Sequence, residues 1–316
     1  MTQYIIKRLF LTIPVLVMVS FISFALIRIV PGDVLDVMYA DSPLTNEQIQ
    51  DLRVQLGMDK PMFVQYWDWI SGVIRMDAGN SLWTRRPVLK EISDRLPVTI
   101  QLALMAFVIK MLIGVPVGVL AATHRDQAAD QITRLIAIIM LALPNFWVAT
   151  MFIVFSASTF GWIPPIGGVA SPWKDPWVNI QQFLIPAFLL GSDASASIIR
   201  LTRSTLLEVV HQDYVRTAFA KGLTDRRVWW VHATKNAMIP VITAAGTQLG
   251  GLMGGTVITE NIFSLPGVGQ LTLSAIHHRD VPQLQMNILF LATVYVMLNL
   301  LVDLSYAWFD PRIRYR

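Results

Sequence analysis

Asp193 and Lys110 each stand midway along a stretch of sequence that is otherwise apolar or small. An ionised side chain inside lipid is costly, so it normally faces a cavity or a partner. Two readings stay open. The two residues pair with each other, or Asp193, set among Ser192, Ser195 and Ser197, lines a solute path together with Ser197 and Asn145 and favours cationic solutes. Asp303 lies nearer the end of its apolar stretch and reads as a structural partner for an arginine or for backbone groups.

Other chemistry is excluded by what is missing. The sequence has no G-x-x-x-x-G-K-[ST], so it lacks the loop that cradles nucleotide phosphates. It also lacks G-x-S-x-G, H-E-x-x-H and an EF-hand loop. The five histidines, at 124, 211, 232, 277 and 278, all fall between apolar stretches. His277 and His278 are adjacent and point different ways on a helix, so no metal site is expected. There is no cysteine, hence no disulfide framework and no thiolate ligand.

Glycines and prolines mark backbone geometry. Gly246, Gly250 and Gly254, with Gly251 and Gly255 beside them, form overlapping G-x-x-x-G units that let helices approach closely. They serve packing within the chain, or an interface with a second subunit or a gate helix; the pattern fits both. Pro144-Asn145 and Pro116 interrupt apolar stretches, where each can kink a helix and free a carbonyl.

The elements that position these residues follow from hydropathy. Of 316 residues, 54% are hydrophobic and 15% charged, too apolar a balance for soluble cores. Six stretches are long enough to span a membrane, at about 9–30, 97–121, 134–160, 181–200, 237–259 and 286–308. The fourth is the least apolar, and its small residues suit a helix buried among others. The first resembles a signal peptide but is too long and has no closing cleavage site, so an uncleaved span is expected. Six spans put both termini on one side. Lys7, Arg8, the basic run from Arg200 to Lys235, and Arg312, Arg314 and Arg316 make that side cytoplasmic, since the two short opposite loops hold only Lys174 and Arg279. The pI near 9.4 is therefore explained by lipid and topology, and nucleic acid is not an expected partner.

Two long connectors remain. In the outer segment 31–96, Thr45-Asn-Glu-Gln48 reads as a helix start with Gly57 as its stop. Pro61 begins a second helix, and Pro87 a third with Val88, Ile92 and Leu96 on one face. It reads as a helical cap, a docking surface, or both, with ten acids against seven bases. In the inner segment 201–235, Leu207, Val210 and Tyr214 are spaced as one helical stripe, Gly222 breaks the helix, and Thr224 or Asp225 can cap the next. Such a helix pair needs something to pack against, either a partner protein or the lipid surface, and Trp229 and Trp230 suit both.

Several strings in order make a specific match. Asp213-Tyr-Val-Arg-Thr-Ala-Phe-Ala-Lys-Gly-Leu223 followed by His232-Ala-Thr-Lys-Asn-Ala-Met-Ile-Pro240 resembles the EAA loop of binding-protein-dependent ABC importers, closest to the dipeptide/oligopeptide/nickel permeases. Pro31-Gly-Asp33, Leu56-Gly-Met-Asp-Lys-Pro61, Asn261-Ile-Phe-Ser-Leu-Pro-Gly-Val-Gly269, Asn299-Leu-Leu-Val-Asp303 and Asp310-Pro-Arg-Ile-Arg314 extend the likeness nearly end to end. The resemblance implies an all-α integral membrane protein of the bacterial inner membrane with the type I importer permease fold. Its parts would be an N-terminal span at 1–30, the outer cap at 31–96, a five-helix core at 97–308 and a cytoplasmic tail at 309–316. It also implies a second permease subunit, two ATPase subunits that hold ATP and Mg, and an extracytoplasmic solute-binding protein. This chain would then bind no cofactor and do no bond chemistry. Arg216, Thr217, Ala218 and Gly222 match the motif's E-A-A…G positions, with Arg216 in place of the general Glu and a longer Gly222-to-Pro240 spacing. Tyr214, Lys221 and Leu223 complete the expected ATPase-coupling turn. Peptides are the default solute of such permeases; nickel chelates, glutathione-like thiols, opines and oligosaccharides are the alternatives. A secondary transporter would instead need ion sites and inverted repeats, and an intramembrane enzyme a nucleophile with a base inside the membrane; neither is visible in the sequence.

Overall fold

The protein is described here by a computed structural model, in which residues 2–29, 48, 50, 51, 54, 59–165 and 168–309 are placed. The Pro31-Gly32-Asp33 string, the Thr45 helix start, the Gly57 stop and the Asp310–Arg314 string lie outside the described residues, as does the side chain of Asp303. Ten helices longer than a turn are described: α1 (Thr2–Ile29), α2 (Met62–Ile74), α3 (Val88–Thr123), α4 (Ala128–Ala142), α5 (Asn145–Phe160), α6 (Pro176–Val209), α7 (Asp213–Ala220), α8 (Thr234–Ile262), α9 (Val268–His277) and α10 (Val281–Phe309). Five stretches are long and apolar enough to cross a membrane, and the pair α4 and α5, bent by 95°, makes a sixth if counted as one span.

The bend has a local cause. Leu143 is held extended (φ −87°, ψ 126°), as the residue before a proline must be, and Pro144 opens α5 from the N-cap position. The break foreseen at Pro144-Asn145 is thus a corner rather than a kink. Elsewhere proline is tolerated. The cap helix expected from Pro87 and the second expected span are one 36-residue helix, α3, running through Pro97 and Pro116.

The chain divides into two compact units. One comprises residues 1–97 with 266–300. Its core gathers Val88 and Ile92 of α3, Val268 and Leu271 of α9, and Met286 and Leu289 of α10, with Leu96 packed against them. The stripe Val88, Ile92, Leu96 therefore faces inward as its spacing requires. On α1, Ser20 hydrogen-bonds the Tyr66 hydroxyl of α2 (2.8 Å), and Phe24 meets the Tyr66 ring edge-on.

The other unit comprises residues 98–265 with 301–316. Its most buried span is α6, whose apolar sequence is interrupted by small and polar residues. The reason is contact distance. A Cβ on Gly191 would lie 2.5 Å from the backbone oxygen of Ala106, and one on Gly118 would lie 2.8 Å from that of Ile199. Glycine is the only residue that lets α3 and α6 come so close. Gly114-Val-Pro-Val-Gly118 is itself a G-x-x-x-G unit.

Candidate functional site

The inner segment 201–235 folds into an elbow. Helix α6 ends at Val209, a three-residue turn follows, and α7 runs from Asp213 to Ala220. The stripe expected from Leu207, Val210 and Tyr214 is not one helical face. Leu207 belongs to α6, Tyr214 to α7, and Tyr214 is exposed. The buried positions are instead Thr202, Leu206 and Val209, one residue earlier. Leu206 and Val209 join Val215 and Ala218 of α7, with Val228, Ala233 and Ala237, in one apolar cluster beneath the elbow. Leu223 packs against that cluster and so does Trp229, while Trp230 stays exposed.

Burying Val215 and Ala218 turns the opposite face of α7 outward. Tyr214, Arg216, Thr217, Lys221 and Gly222 are all exposed, so six of the seven residues assigned to the coupling turn form a surface or its edge, and Ala218 anchors it. Gly222 closes the helix with φ +77°, and its N–H donates to the Phe219 carbonyl (2.9 Å). This is the left-handed end that glycine makes cheaply. Thr224 and Asp225 sit where a cap is needed, but neither side chain makes the capping bond. A single short turn, Asp225–Arg227, leads into a π-helical stretch, Val228–Ala233. Its wide turn is held by the Thr234 hydroxyl, which donates to the Trp229 carbonyl (2.8 Å).

A buried ion pair braces the elbow's root. Asp130 of α4 has a fully buried side chain, and it accepts two bonds from Arg203 of α6, Nε at 2.6 Å and Nη2 at 2.7 Å. The Asp126 backbone N–H donates to the same carboxylate (3.0 Å), and Arg134 approaches at 3.7 Å. The fork geometry fixes α4 against α6 in angle as well as distance. In the sequence Arg203 is one charge of the basic run from Arg200 to Lys235, and nothing local pairs residues 73 positions apart.

The intramembrane charges do not pair. Lys110 is fully buried, its Nζ has no hydrogen-bond partner, and the Phe107 ring lies 5.6 Å from it. Asp193 is half-buried and has no ion pair or hydrogen bond among the described residues. It lines an open cleft of about 370 Å³ together with Asn145, Gln248, Gly251 and Gly255. Asn145 reaches this cleft because the corner at Pro144 starts α5 there. Ser197 does not line the cleft; it hydrogen-bonds Gln248 Oε1 (3.1 Å), which does. Two of the three residues assigned to the path, Asp193 and Asn145, line this cleft, and Ser197 reaches it only through Gln248, which the sequence did not single out. A cleft of this size with one carboxylate and two amides can hold a small solute bearing an ammonium group.

The glycines of α8 separate by direction. A Cβ on Gly246 would lie 3.0 Å from both methyls of Val302, so this position packs within the chain. Gly250 is buried. Around Gly254 a Cβ would meet nothing within 4 Å. The packing reading therefore holds at Gly246, while the Gly254 end meets no side chain of this chain.

Residues 114–315 match the family described as "Binding-protein-dependent transport system inner membrane component", and residues 1–103 match "Binding-prot-dependent transport system membrane comp, N-term". Relatives align over the full chain. A dipeptide transport system permease protein of Alkalihalophilus pseudofirmus is 36% identical over 334 residues, 100% of both chains. A putative peptide transport system permease protein of Brucella abortus is 39% identical over 316 residues, again 100% of both. A dipeptide transport system permease protein of Escherichia coli K12 is 37% identical over 338 residues, 100% of both.

Proposed function

Since this chain belongs to the family of binding-protein-dependent transport system inner membrane components, we propose that it is the permease subunit through which di- or oligopeptides enter the cell under ATP drive. It is a multi-pass protein of the bacterial inner membrane, and its system works with an ATPase and a solute-binding protein. The observation that carries the peptide reading is the full-length likeness to relatives named for dipeptide and peptide transport. The unpaired Asp193 carboxylate in its cleft agrees with it, because a peptide arrives with a free ammonium group.

In this reading the chain does no bond chemistry; ATP and Mg belong to the two partner ATPases. A second, homologous permease subunit completes the pathway and meets the open end of the α8 glycine stripe at Gly254. The outward face of α7, with Tyr214, Arg216, Thr217 and Lys221, docks into an ATPase groove. Val215 and Ala218 tie that face to α3 and α6, so movement of the ATPases reaches the membrane helices as a rigid displacement. The bundle then has two arrangements, which ATP and the loaded binding protein stabilise differently.

Reconstitution of the chain with its neighbouring permease, ATPases and binding protein in liposomes tests the proposal. ATP-dependent accumulation of labelled di- or tripeptide is expected. Accumulation of a nickel chelate or oligosaccharide in place of peptides would overturn the substrate, and solute uptake without any ATPase would overturn the class.

A further inference from the structure

The cleft of Asp193 holds a second polar group whose orientation is fixed. Asp193 and Ser197 are four residues apart on α6, so they share a face and lie one helical turn apart, about 5.4 Å along the axis. The Ser197 hydroxyl proton is shared between the Ala194 carbonyl (3.0 Å) and Oε1 of Gln248 on α8 (3.1 Å). With Oε1 turned to Ser197, the Nε2 end of the Gln248 amide points away from that serine, and Nε2 makes no hydrogen bond among the described residues. Gln248 is half-buried and lines the open cleft of about 370 Å³, so its unspent donors have room for an acceptor beside them. Asn145 lines the same cleft, but no bond fixes which end of its amide faces it.

The lining carries one sign of charge. Asp193 is its only charged residue among the described ones, and Leu190, Leu252 and Ile258 add apolar walls. A carboxylate entering here would meet a like charge and no cation, whereas an ammonium meets an acceptor. The amino end of a solute therefore suits the cleft and a carboxyl end does not. A simple amine would still leave the Gln248 donors without a partner and shielded from water, which is unfavourable. In a peptide the first carbonyl oxygen stands three bonds from the ammonium nitrogen, about 3 Å away. With a hydrogen bond of about 2.9 Å at each end, that pair of groups spans the one turn between the Asp193 carboxylate and the Gln248 amide.

We propose that Gln248 is a specificity-determining residue of the solute path, donating from Nε2 to the first peptide carbonyl of a solute whose ammonium group meets Asp193. The assignment rests on the permease reading above and deepens it: the cleft prefers an α-aminoacyl amide to a simple amine or a single amino acid.

The test compares ATP-driven uptake of two solutes by the transporter reconstituted with its neighbouring permease, ATPases and binding protein. One solute is Ala-Ala. The other is its trans-alkene isostere, which keeps the shape and both charged ends but has no peptide carbonyl. Each is loaded on the binding protein beforehand, and the ratio of the two rates is compared between wild type and variant, so the binding protein's own preference cancels. Accumulation of Ala-Ala by wild type establishes the permease reading by itself; its absence would sink that reading and not this role alone. Gln248→Met is expected to lower the Ala-Ala-to-alkene ratio about fivefold, as for the loss of one neutral hydrogen bond. Asp193→Asn should slow both solutes and leave the ratio as in wild type, since both carry the ammonium group. A wild-type ratio in an assembled Gln248→Met transporter overturns the proposal. So does an equal fall of the ratio in Asp193→Asn, because the ratio would then report general distortion of the cleft. Should Gln248→Met fail to assemble with its ATPases, the smaller Gln248→Leu decides by the same ratio.

Discussion

At the residue scale, Gly222 is held by conformation rather than by crowding. Its φ is +77°, and a Cβ there would meet nothing within 4 Å. Any other L-residue costs about 1–2 kcal/mol in that region, with Asn the cheapest. Gly222→Asn should therefore keep thermal stability and ATP-driven transport. Gly222→Trp should fold within about 2 kcal/mol of wild type yet lose transport, because the added ring projects from the face assigned to the ATPase. Normal transport by the Trp variant would remove Gly222 from the coupling turn. Asp193→Asn tests the cleft: with no partner to lose, the variant should fold as wild type and transport peptides with a blocked amino terminus as fast as before, while free peptides slow. Equal rates for both would leave Asp193 without a role in the path. Asp130 is the opposite case, a buried carboxylate with partners on three sides. Asp130→Asn should destabilise by about 3 kcal/mol, the low end for breaking a buried pair, since the Arg203 side chain remains 21% exposed; a thermal-unfolding series in detergent measures it.

At the element scale, α3 and α6 form one rigid pair because glycine brings their backbones together. Gly191→Ala forces a methyl against the Ala106 carbonyl oxygen, which cannot rotate away, and should cost about 1–3 kcal/mol. Gly246→Ala meets only the methyls of Val302, which can turn, and should cost less than about 1 kcal/mol. Comparing the two melting curves separates backbone contact from side-chain contact. If α7, only eight residues long, takes up movement of an ATPase as proposed, the same rigidity would carry that movement inward. Its buried side is continuous with α3 and α6 through Val119, Ala122 and Leu206. Asp130 and Arg203 then pin α4 to the base of α6, so the elbow does not swing independently.

At the scale of the whole molecule, the charge asymmetry predicts the orientation. The chain has no cysteine, so single cysteines report topology without background. A cysteine at Asp213 should react with a membrane-impermeant maleimide only in inverted vesicles, and one at Lys174 only in intact spheroplasts. Labelling of both from the same side would break the six-span topology. Labelling of the two cysteines from opposite sides would support it.

The sequence by itself determined the spans, the broken third span and the glycine that ends α7, because hydropathy and turn chemistry act over a few residues. It also carried the likeness that identified the family. Tertiary structure decided what depends on how each helix is rotated about its axis. A slip of one position turns a helical side chain by about 100°, and that slip moved the buried stripe from Leu207 and Val210 to Leu206 and Val209. Only the packed bundle could show that Lys110 and Asp193 stay apart, that Asp130 finds Arg203, and that Asn145, Asp193 and Gln248 share one cleft. Each of those outcomes joins elements far apart in the chain, and no local rule of residue type or spacing links them.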